Sequence, residues 1–113
     1  MESQLGLNKE RKRLLEKLAQ ALPEVADAQA TLGNVAYKNG ALSTKIKRLI
    51  ALGIALRAGC TNCILAQTER ALEAGATKDE ILETLAVERS MSGTTGTAES
   101  LRVLKLLEEL GKL

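Results

Sequence analysis

Apolar residues recur every three or four positions along most of the chain, the spacing that places side chains on one face of an α-helix. The first stripe predicts a helix over about residues 8–21. The second predicts a helix from Pro23 to the Asn39-Gly40 break, because proline is favoured in the first turn of a helix. The side chains predicted to face inward are Leu14, Leu15, Leu18, Leu22, Val25, Ala28, Leu32 and Val35.

Two further helices are predicted in the middle of the chain. Ser43 can cap the third helix, and Gly59 separates it from a fourth that runs from Cys60 to about Ala74. The third helix has the stripe Ile46, Leu49, Ile50, Gly53 and Ile54, widened by Leu52, Ala55 and Leu56; the fourth directs Ile64, Leu65, Ala71 and Leu72 inward. Because the third helix is apolar over more than one face, we expect it to be central or to lie at a subunit interface.

The last third of the chain predicts two helices separated by a small, polar stretch. Thr77 and Glu80 have the spacing of a capping box, and the helix that they open should end at the Ser92-Gly93 break. Its inward residues are Ile81, Leu82, Leu85 and Ala86, and those of the terminal helix, which closes at Gly111, are Leu101, Leu104, Leu107 and Leu110. Six helices and no strand predict an all-α fold, a single compact helical-bundle domain over residues 1–113.

Composition excludes several classes of function. The chain has 113 residues, a formal charge of +2, one Tyr, and no His, Phe or Trp. So small a charge without aromatic stacking groups argues against nucleic-acid binding. The first ten residues carry early charge and no apolar run of signal-peptide length, and no apolar run in the sequence is long enough to span a bilayer. We therefore expect a cytoplasmic protein without membrane association. Two Cys without His are too few for an ordinary zinc site, so no metal or cofactor is expected.

The most distinctive motif is Cys60-Thr61-Asn62-Cys63 at the start of the fourth predicted helix. The positive end of a helix stabilises a thiolate, and this spacing lets one sulfur attack a substrate while the other resolves the product as a disulfide. Alternatively, both cysteines pack as small apolar side chains. On the residues alone, both interpretations stay open.

Five segments together resemble the carboxymuconolactone decarboxylase and alkylhydroperoxidase D superfamily. They are GALSTK at 40–45, LIAL at 49–52, GCTNCI at 59–64, ALEAGAT at 71–77 and EILE at 80–83, and the resemblance extends over about residues 35–93. It implies an all-helical fold that assembles into homo-oligomers, with a trimer or hexamer suggested. It also implies two branches, decarboxylases that do not rely on a CxxC motif and thiol peroxidases that do. Cys60 and Cys63 place the chain nearer the peroxidases.

The resemblance also implies roles for individual residues. In the peroxidase branch the residue matching Cys63 attacks the hydroperoxide, the residue matching Cys60 resolves it, and a glutamate acting through a water and a histidine helps to deprotonate the thiol. This chain has Gln67 in place of that histidine and Arg48 in place of that glutamate. Gln67 can form hydrogen bonds but cannot act as a base. Arg48 either lowers a thiol pKa through its charge or is a solvated residue on the polar side of its helix.

Glu88 is a further candidate, because it follows Ile81 by seven positions and Leu85 by three, on the inward face of the fifth predicted helix. We expect its carboxylate to be partly buried. It is either a replacement base with a raised pKa or the partner of Arg48 or Arg89 in a structural ion pair. The resemblance allows the first role, since members of the superfamily draw a relay glutamate from different helices.

The leading hypothesis is a thiol-disulfide oxidoreductase, with an alkyl hydroperoxide reductase as one specific form. Cys63 would be the nucleophile and Cys60 the resolving thiol, and the site would be tuned by Glu88, Arg48 and Gln67. Its expected partners are a hydroperoxide or disulfide substrate and a dithiol reductant such as a lipoylated protein. The alternative is an oligomeric helical protein that keeps the dithiol for redox sensing or packing, without turnover. Lactone decarboxylation is the least favoured function, because no His is available for proton transfer.

Overall fold

The computed structural model describes residues 1–113 and contains five helices and no strand. The helices are α1 (Gln4–Ala21), α2 (Pro23–Ala36), α3 (Thr44–Ala58), α4 (Thr61–Glu73) and α5 (Lys78–Glu109). The predicted all-α fold is confirmed, with five helices instead of six. None of the five is both long enough and apolar enough to cross a membrane.

The difference in number comes from α5, which joins the two predicted C-terminal helices across a kink. Gly93 lies in the kink with φ 60° and ψ −130°, a conformation outside the helical region that glycine adopts without a steric penalty. Helical backbone continues on both sides of it. The prediction of a break at Gly93 therefore identified the right residue, but the segment around it is a bend and not a separate connection.

Capping side chains define the helix starts. The Ser43 hydroxyl accepts a hydrogen bond from the Ile46 N–H at 3.2 Å. In the capping box, Thr77 Oγ1 accepts from the Glu80 N–H at 3.1 Å, and Glu80 Oε1 accepts from the Thr77 N–H at 2.9 Å. Both predicted caps are confirmed. The first helix begins at Gln4, earlier than the predicted residue 8, because Ser3 supplies its N-cap.

The hydrophobic core lies between α3, α4 and α5. Its buried residues are Leu52, Ala55, Leu56, Ile64, Ala71, Ala76, Ile81, Leu85, Val103 and Leu107. On α3 the residues that were expected only to widen the stripe form the core face, whereas Ile46, Ile50 and Ile54 are exposed. The periodic pattern found the helix but assigned its buried side to the wrong face.

The leucine pattern of the terminal helix shows a similar error. Leucines spaced by three positions drift by about 60° per step around a helix with 3.6 residues per turn, so four of them cannot share one face. Leu107 is fully buried, Leu104 is half-buried, and Leu101 and Leu110 are exposed. Val103 and Leu106 complete the buried face beside Leu107. Ala86, predicted to be inward, is also exposed.

The two N-terminal helices form a hairpin whose apolar faces are open. The only helix that α2 packs against is α1, and none of the residues of α2 is buried. The side chains left exposed are those predicted to face inward: Leu14, Leu15, Leu18, Leu22, Val25, Ala28, Leu32 and Val35. The prediction was wrong for the single chain, because its other helices do not reach this side of the hairpin.

Candidate functional site

The dithiol motif lies in a tight connection between α3 and α4. Gly59 ends α3 in the left-handed conformation, with φ 67°, which favours glycine. The Gly59 N–H donates to the Leu56 carbonyl at 3.1 Å, and the Cys60 N–H donates to the Ala55 carbonyl at 3.3 Å. The chain then enters α4 at once, so Cys60 becomes the N-cap of that helix and Cys63 lies in its first turn.

The two sulfur atoms are joined in a disulfide, with the Cα atoms of Cys60 and Cys63 5.2 Å apart. The Cys63 N–H donates to the Cys60 sulfur at 3.3 Å. Cys63 is exposed, whereas Cys60 is half-buried. The first N–H groups of a helix have no intrahelical acceptor, so they and the helix dipole favour negative charge at this position once the disulfide is reduced.

Arg48 and Gln67, the residues at the two relay positions, contact each other. Arg48 Nη1 donates to Gln67 Oε1 at 3.2 Å, which joins α3 to α4. Gln67 follows Cys63 by one helical turn, on the same side of α4. The structure therefore brings the Arg48–Gln67 pair to the face of α4 that carries the exposed cysteine.

Tyr37, the only aromatic residue, completes this polar cluster. Its ring lies under the Arg48 guanidinium, with Cζ 3.4 Å from the ring centroid, a cation–π contact. Partial burial, followed by repulsion from Arg70, lowers the pKa of Arg48, while Tyr37 and Glu73 act in the opposite direction. A guanidinium keeps its charge at neutral pH in proteins. Arg48 is thus a half-buried cation held by Tyr37 and Gln67, not a freely solvated side chain.

Glu88 is buried, as its position in the pattern predicted, with 5% of its surface exposed. Its two carboxylate oxygens have no hydrogen-bond partner. The ion pairs in the protein join other residues, so the structural alternative for Glu88, an ion pair with Arg48 or with Arg89, is not found. Glu88 is instead packed against Gly96, where the absence of a side chain leaves space for the carboxylate.

Glu88 lines a groove of about 820 Å³ between α3 and α5. Neither cysteine lines this groove, and neither Arg48 nor Gln67 does. Most of the lining is apolar, from Ile46, Leu49, Ile50, Ile54, Val87 and Met91. Four of the five residues singled out by the sequence thus lie on α3 and α4 or at the connection between them: Cys60, Cys63, Arg48 and Gln67. The fifth, Glu88, lies in the α3–α5 groove.

Sequence reasoning missed two features of these sites. The stacking of Tyr37 on Arg48 depends on how the end of α2 returns to α3, and no local pattern reports that return. Ser92, which lines the groove and has a buried hydroxyl without a partner, was interpreted only as part of a break. Its spacing of four from Glu88 was the available signal, because residues four apart share a helix face.

No three Cys, Asp or Glu side chains come together as a metal-binding cluster.

Comparison with known proteins gives consistent matches. The family model of the carboxymuconolactone decarboxylase family matches residues 23–106. An uncharacterised protein from Cupriavidus necator is 32% identical over 93 residues, which are 82% of each chain. An uncharacterised protein encoded in the cox locus of Paracoccus denitrificans is 30% identical over 96 residues, 85% of this chain and 86% of its own.

Two solved proteins share the fold. A carboxymuconolactone decarboxylase family protein from Legionella pneumophila, in its apo form, superposes with a TM-score of 0.88 at 30% identity, over 96% of this chain and 97% of its own. A Thermotoga maritima protein of the same family, described as "possibly involved in antioxidative response", gives 0.75 at 27% identity, over 91% and 87%.

Proposed function

Because the chain belongs to the carboxymuconolactone decarboxylase family and carries a CxxC disulfide, we propose that it is a thiol-dependent hydroperoxide reductase. The observation that carries the proposal is the pairing of Cys60 with an exposed Cys63 in the first turn of α4. In the disulfide form α4 is intact from Thr61 onward, with Cys60 as its N-cap. The antioxidative role suggested for the Thermotoga relative supports the same chemistry.

In the proposed cycle the Cys63 thiolate attacks the terminal oxygen of a hydroperoxide, ROOH. The O–O bond breaks, a sulfenic acid forms on Cys63, and the alkoxide leaves as the alcohol ROH after it takes a proton from water. The Cys60 thiol then attacks the Cys63 sulfur, which forms the disulfide and releases water. An external dithiol, such as a lipoylated protein, returns both cysteines to thiols and becomes a disulfide itself.

Arg48 and Gln67 are proposed to tune this site without acting as bases. The Arg48 charge favours the thiolate over the thiol electrostatically, and Gln67 holds the guanidinium at 3.2 Å on the Cys63 side of α4. Tyr37 fixes the other face of the guanidinium. A thiol whose ionised form is stabilised by a cation and a helix N-terminus has less need of the histidine that this chain lacks.

Glu88 is proposed to take no part in the thiol reaction. A general base must come within hydrogen-bond reach of the proton that it removes, directly or through one water. The Glu88 carboxylate is packed on Gly96 in the α3–α5 groove, which neither cysteine lines. We therefore assign the reaction to the cysteines and their two polar neighbours.

The experiment that tests the proposal is stopped-flow oxidation of the reduced protein by cumene hydroperoxide, followed by counting of free thiols. Wild type should lose both thiols much faster than free cysteine does. Cys63→Ser should show no rapid phase, and Cys60→Ser should stop after one sulfur is oxidised. Addition of dihydrolipoamide should restore both thiols in wild type.

The matched control is the protein with its disulfide intact, which should consume no hydroperoxide before a reductant is added. If wild type reacts no faster than free cysteine, the peroxidase proposal fails. The intact dithiol would then serve redox sensing or packing, which is the competing interpretation for a site without the relay histidine and glutamate.

A further inference from the structure

Two arginines lie near the face of α4 that carries Cys63, and neither has a carboxylate partner. Arg48 reaches this face from α3 through its contact with Gln67, and Arg70 follows Gln67 by three positions on α4 itself. None of the ion pairs of the protein includes Arg48 or Arg70. The thiol reaction described above uses the charge of Arg48 and leaves Arg70 without a role.

Spacing along α4 places Arg70 in line with the exposed cysteine. Cys63, Gln67 and Arg70 follow one another at intervals of four and three, so they share one face of the helix. Cys63 and Arg70 are two turns apart, about 10 Å along the helix axis. A small molecule that contacts Arg70 can therefore reach the Cys63 sulfur along this face.

The two guanidinium groups affect each other's charge. Burial and then repulsion from Arg70 lower the pKa of Arg48. Glu73 attracts Arg48 but lies beyond ion-pair distance of both arginines. Arg48 is half-buried, and its contacts with Tyr37 and Gln67 are to uncharged side chains. A bound anion would offset both the repulsion and the lost hydration.

Arg70 also lines a cleft of about 410 Å³ between α1 and α4. Lys12 and Glu69 pair across this cleft at 2.8 Å. Counting Arg70, the cleft has three cations and three carboxylates: Arg11, Lys12, Arg70, Glu16, Glu69 and Glu73. The cleft is thus neutral as a whole, and Arg48, which does not line it, adds the unbalanced positive charge beside it.

We propose that Arg70, with Arg48 beside it, binds the carboxylate of an acidic alkyl hydroperoxide and so directs the peroxide group to Cys63. The inference rests on the proposed function, because it names the class of hydroperoxide that the thiol reduces. A guanidinium can donate two parallel N–H groups to the two oxygens of a carboxylate. The carboxylate takes no part in the bond changes: the O–O bond breaks as described above, and the product is the hydroxy acid.

A matched pair of substrates tests the inference: cumene hydroperoxide with a carboxylate in the para position, and the methyl ester of that acid. Wild type should reduce the acid with a kcat/KM about fivefold higher than that for the ester. Arg70→Gln should bring this ratio close to one by raising KM for the acid. Arg89→Gln, which changes an exposed arginine on α5, should keep the ratio of wild type. Raising the salt from about 10 mM to about 1 M should reduce the ratio, because the Debye length falls from about 30 Å to about 3 Å.

The outcomes separate this inference from the proposed function. Equal rates for acid and ester in wild type, or an unchanged ratio in Arg70→Gln, would overturn the inference and leave the peroxidase proposal intact. If no hydroperoxide oxidises the thiols, the proposed function fails, and calorimetric titration of the disulfide form with 4-isopropylbenzoate, an unreactive acid of the same shape, measures the arginine site by itself. Binding that Arg70→Gln weakens and Arg89→Gln does not would support a carboxylate site, and absence of binding to wild type would overturn it.

Discussion

The charged residues on the two sides of α3 have different surroundings: one is held by neighbouring side chains and the other is buried without a hydrogen-bond partner. Toward α4, Arg48 lies between Tyr37 and Gln67, beside the helix that carries an exposed cysteine. Toward α5, Glu88 is buried in an apolar groove and its oxygens have no partner. A buried, unpaired carboxylate is often taken as the mark of an active site. In the proposed function the reacting group is instead Cys63 at the solvated start of α4, where the helix N-terminus and Arg48 are proposed to stabilise its ionised form.

The largest expected effect is a difference in activity between a variant on the α4 side of α3 and a variant on the α5 side. Cys63→Ser should reduce the rate of hydroperoxide consumption by about 100-fold or more, because it removes the attacking thiolate. Glu88→Gln should leave the rate within about twofold, since a base reaches its proton only through hydrogen-bond contact. Steady-state assays with dihydrolipoamide as reductant measure both. A loss in Glu88→Gln comparable to that in Cys63→Ser would place the carboxylate in the reaction after all.

The next effect concerns the space that Glu88 occupies. A Cβ atom at Gly96 would come closer to the Glu88 carboxylate than packed atoms allow. Gly96→Ala should therefore displace the Glu88 carboxylate toward the adjoining groove. Because only the far end of a flexible side chain has to move, the free energy of unfolding should fall by about 1 kcal/mol, the lower end of the usual cost of overpacking. Urea titration measures it.

Gly53→Ala is the matched control for this change. Gly53 also lies in a helix and lines the same groove, but a Cβ atom there meets no other atom within 4 Å. Alanine should raise the unfolding free energy by about 0.5–1 kcal/mol, since it is the better helix former. If both variants lose stability equally, the close contact of Glu88 with Gly96 does not control the packing of α5.

A smaller effect is expected at Arg48. Arg48→Gln removes the positive charge that contacts Gln67, one helical turn after Cys63, but keeps a side chain that can hydrogen-bond to Gln67. The pH midpoint of iodoacetamide reactivity at Cys63 should rise toward the reference value of about 8.5, and oxidation at pH 7 should slow several-fold. Arg89→Gln, an exposed cation outside the cluster, is the control and should change neither quantity. An unchanged midpoint in Arg48→Gln would reduce Arg48 to a structural contact.

The smallest effect concerns the ion pair that joins the starts of α3 and α5. Lys45 Nζ lies 2.8 Å from Glu80 Oε2, and the hydrogen bond from Lys45 lowers the pKa of Glu80. The stabilisation is complete above the unfolded pKa of about 4.3 and disappears as pH falls through the lower folded value. The stability deficit of Lys45→Met relative to wild type should thus be present at pH 7 and smaller at pH 3. A deficit that persists unchanged in acid would come from packing of the lysine stem.

The sequence predicted most of the fold because capping and apolar spacing are local signals. Ser43, Thr77 and Glu80 identified helix starts, and Gly59 placed the cysteines at the beginning of α4. The buried side of a helix is not a local property. The inward assignment of Leu32 was wrong for the single chain, because periodicity reports that a face is apolar and not which molecule covers it.

The candidate site also has features that the sequence predicts locally and features that depend on how the helices pack. The CxxC motif and the two relay positions are read from spacing, and the Arg48–Gln67 contact follows from how α3 and α4 pack. The burial of Glu88 was also predicted from its face of the helix. Its environment was not, because the fit of a carboxylate against Gly96 depends on the bend at Gly93, and no sequence spacing sets the angle of that bend.

The central claim, that Cys63 is the nucleophile, is tested most directly by trapping its oxidised form. Reduced Cys60→Ser protein is treated with one equivalent of cumene hydroperoxide in the presence of dimedone, which reacts with sulfenic acids, and is digested for mass spectrometry. The account predicts a dimedone adduct on Cys63, formed within the time of the rapid phase. A Cys60 adduct in the Cys63→Ser variant at the same rate, or no adduct in either variant, would contradict it.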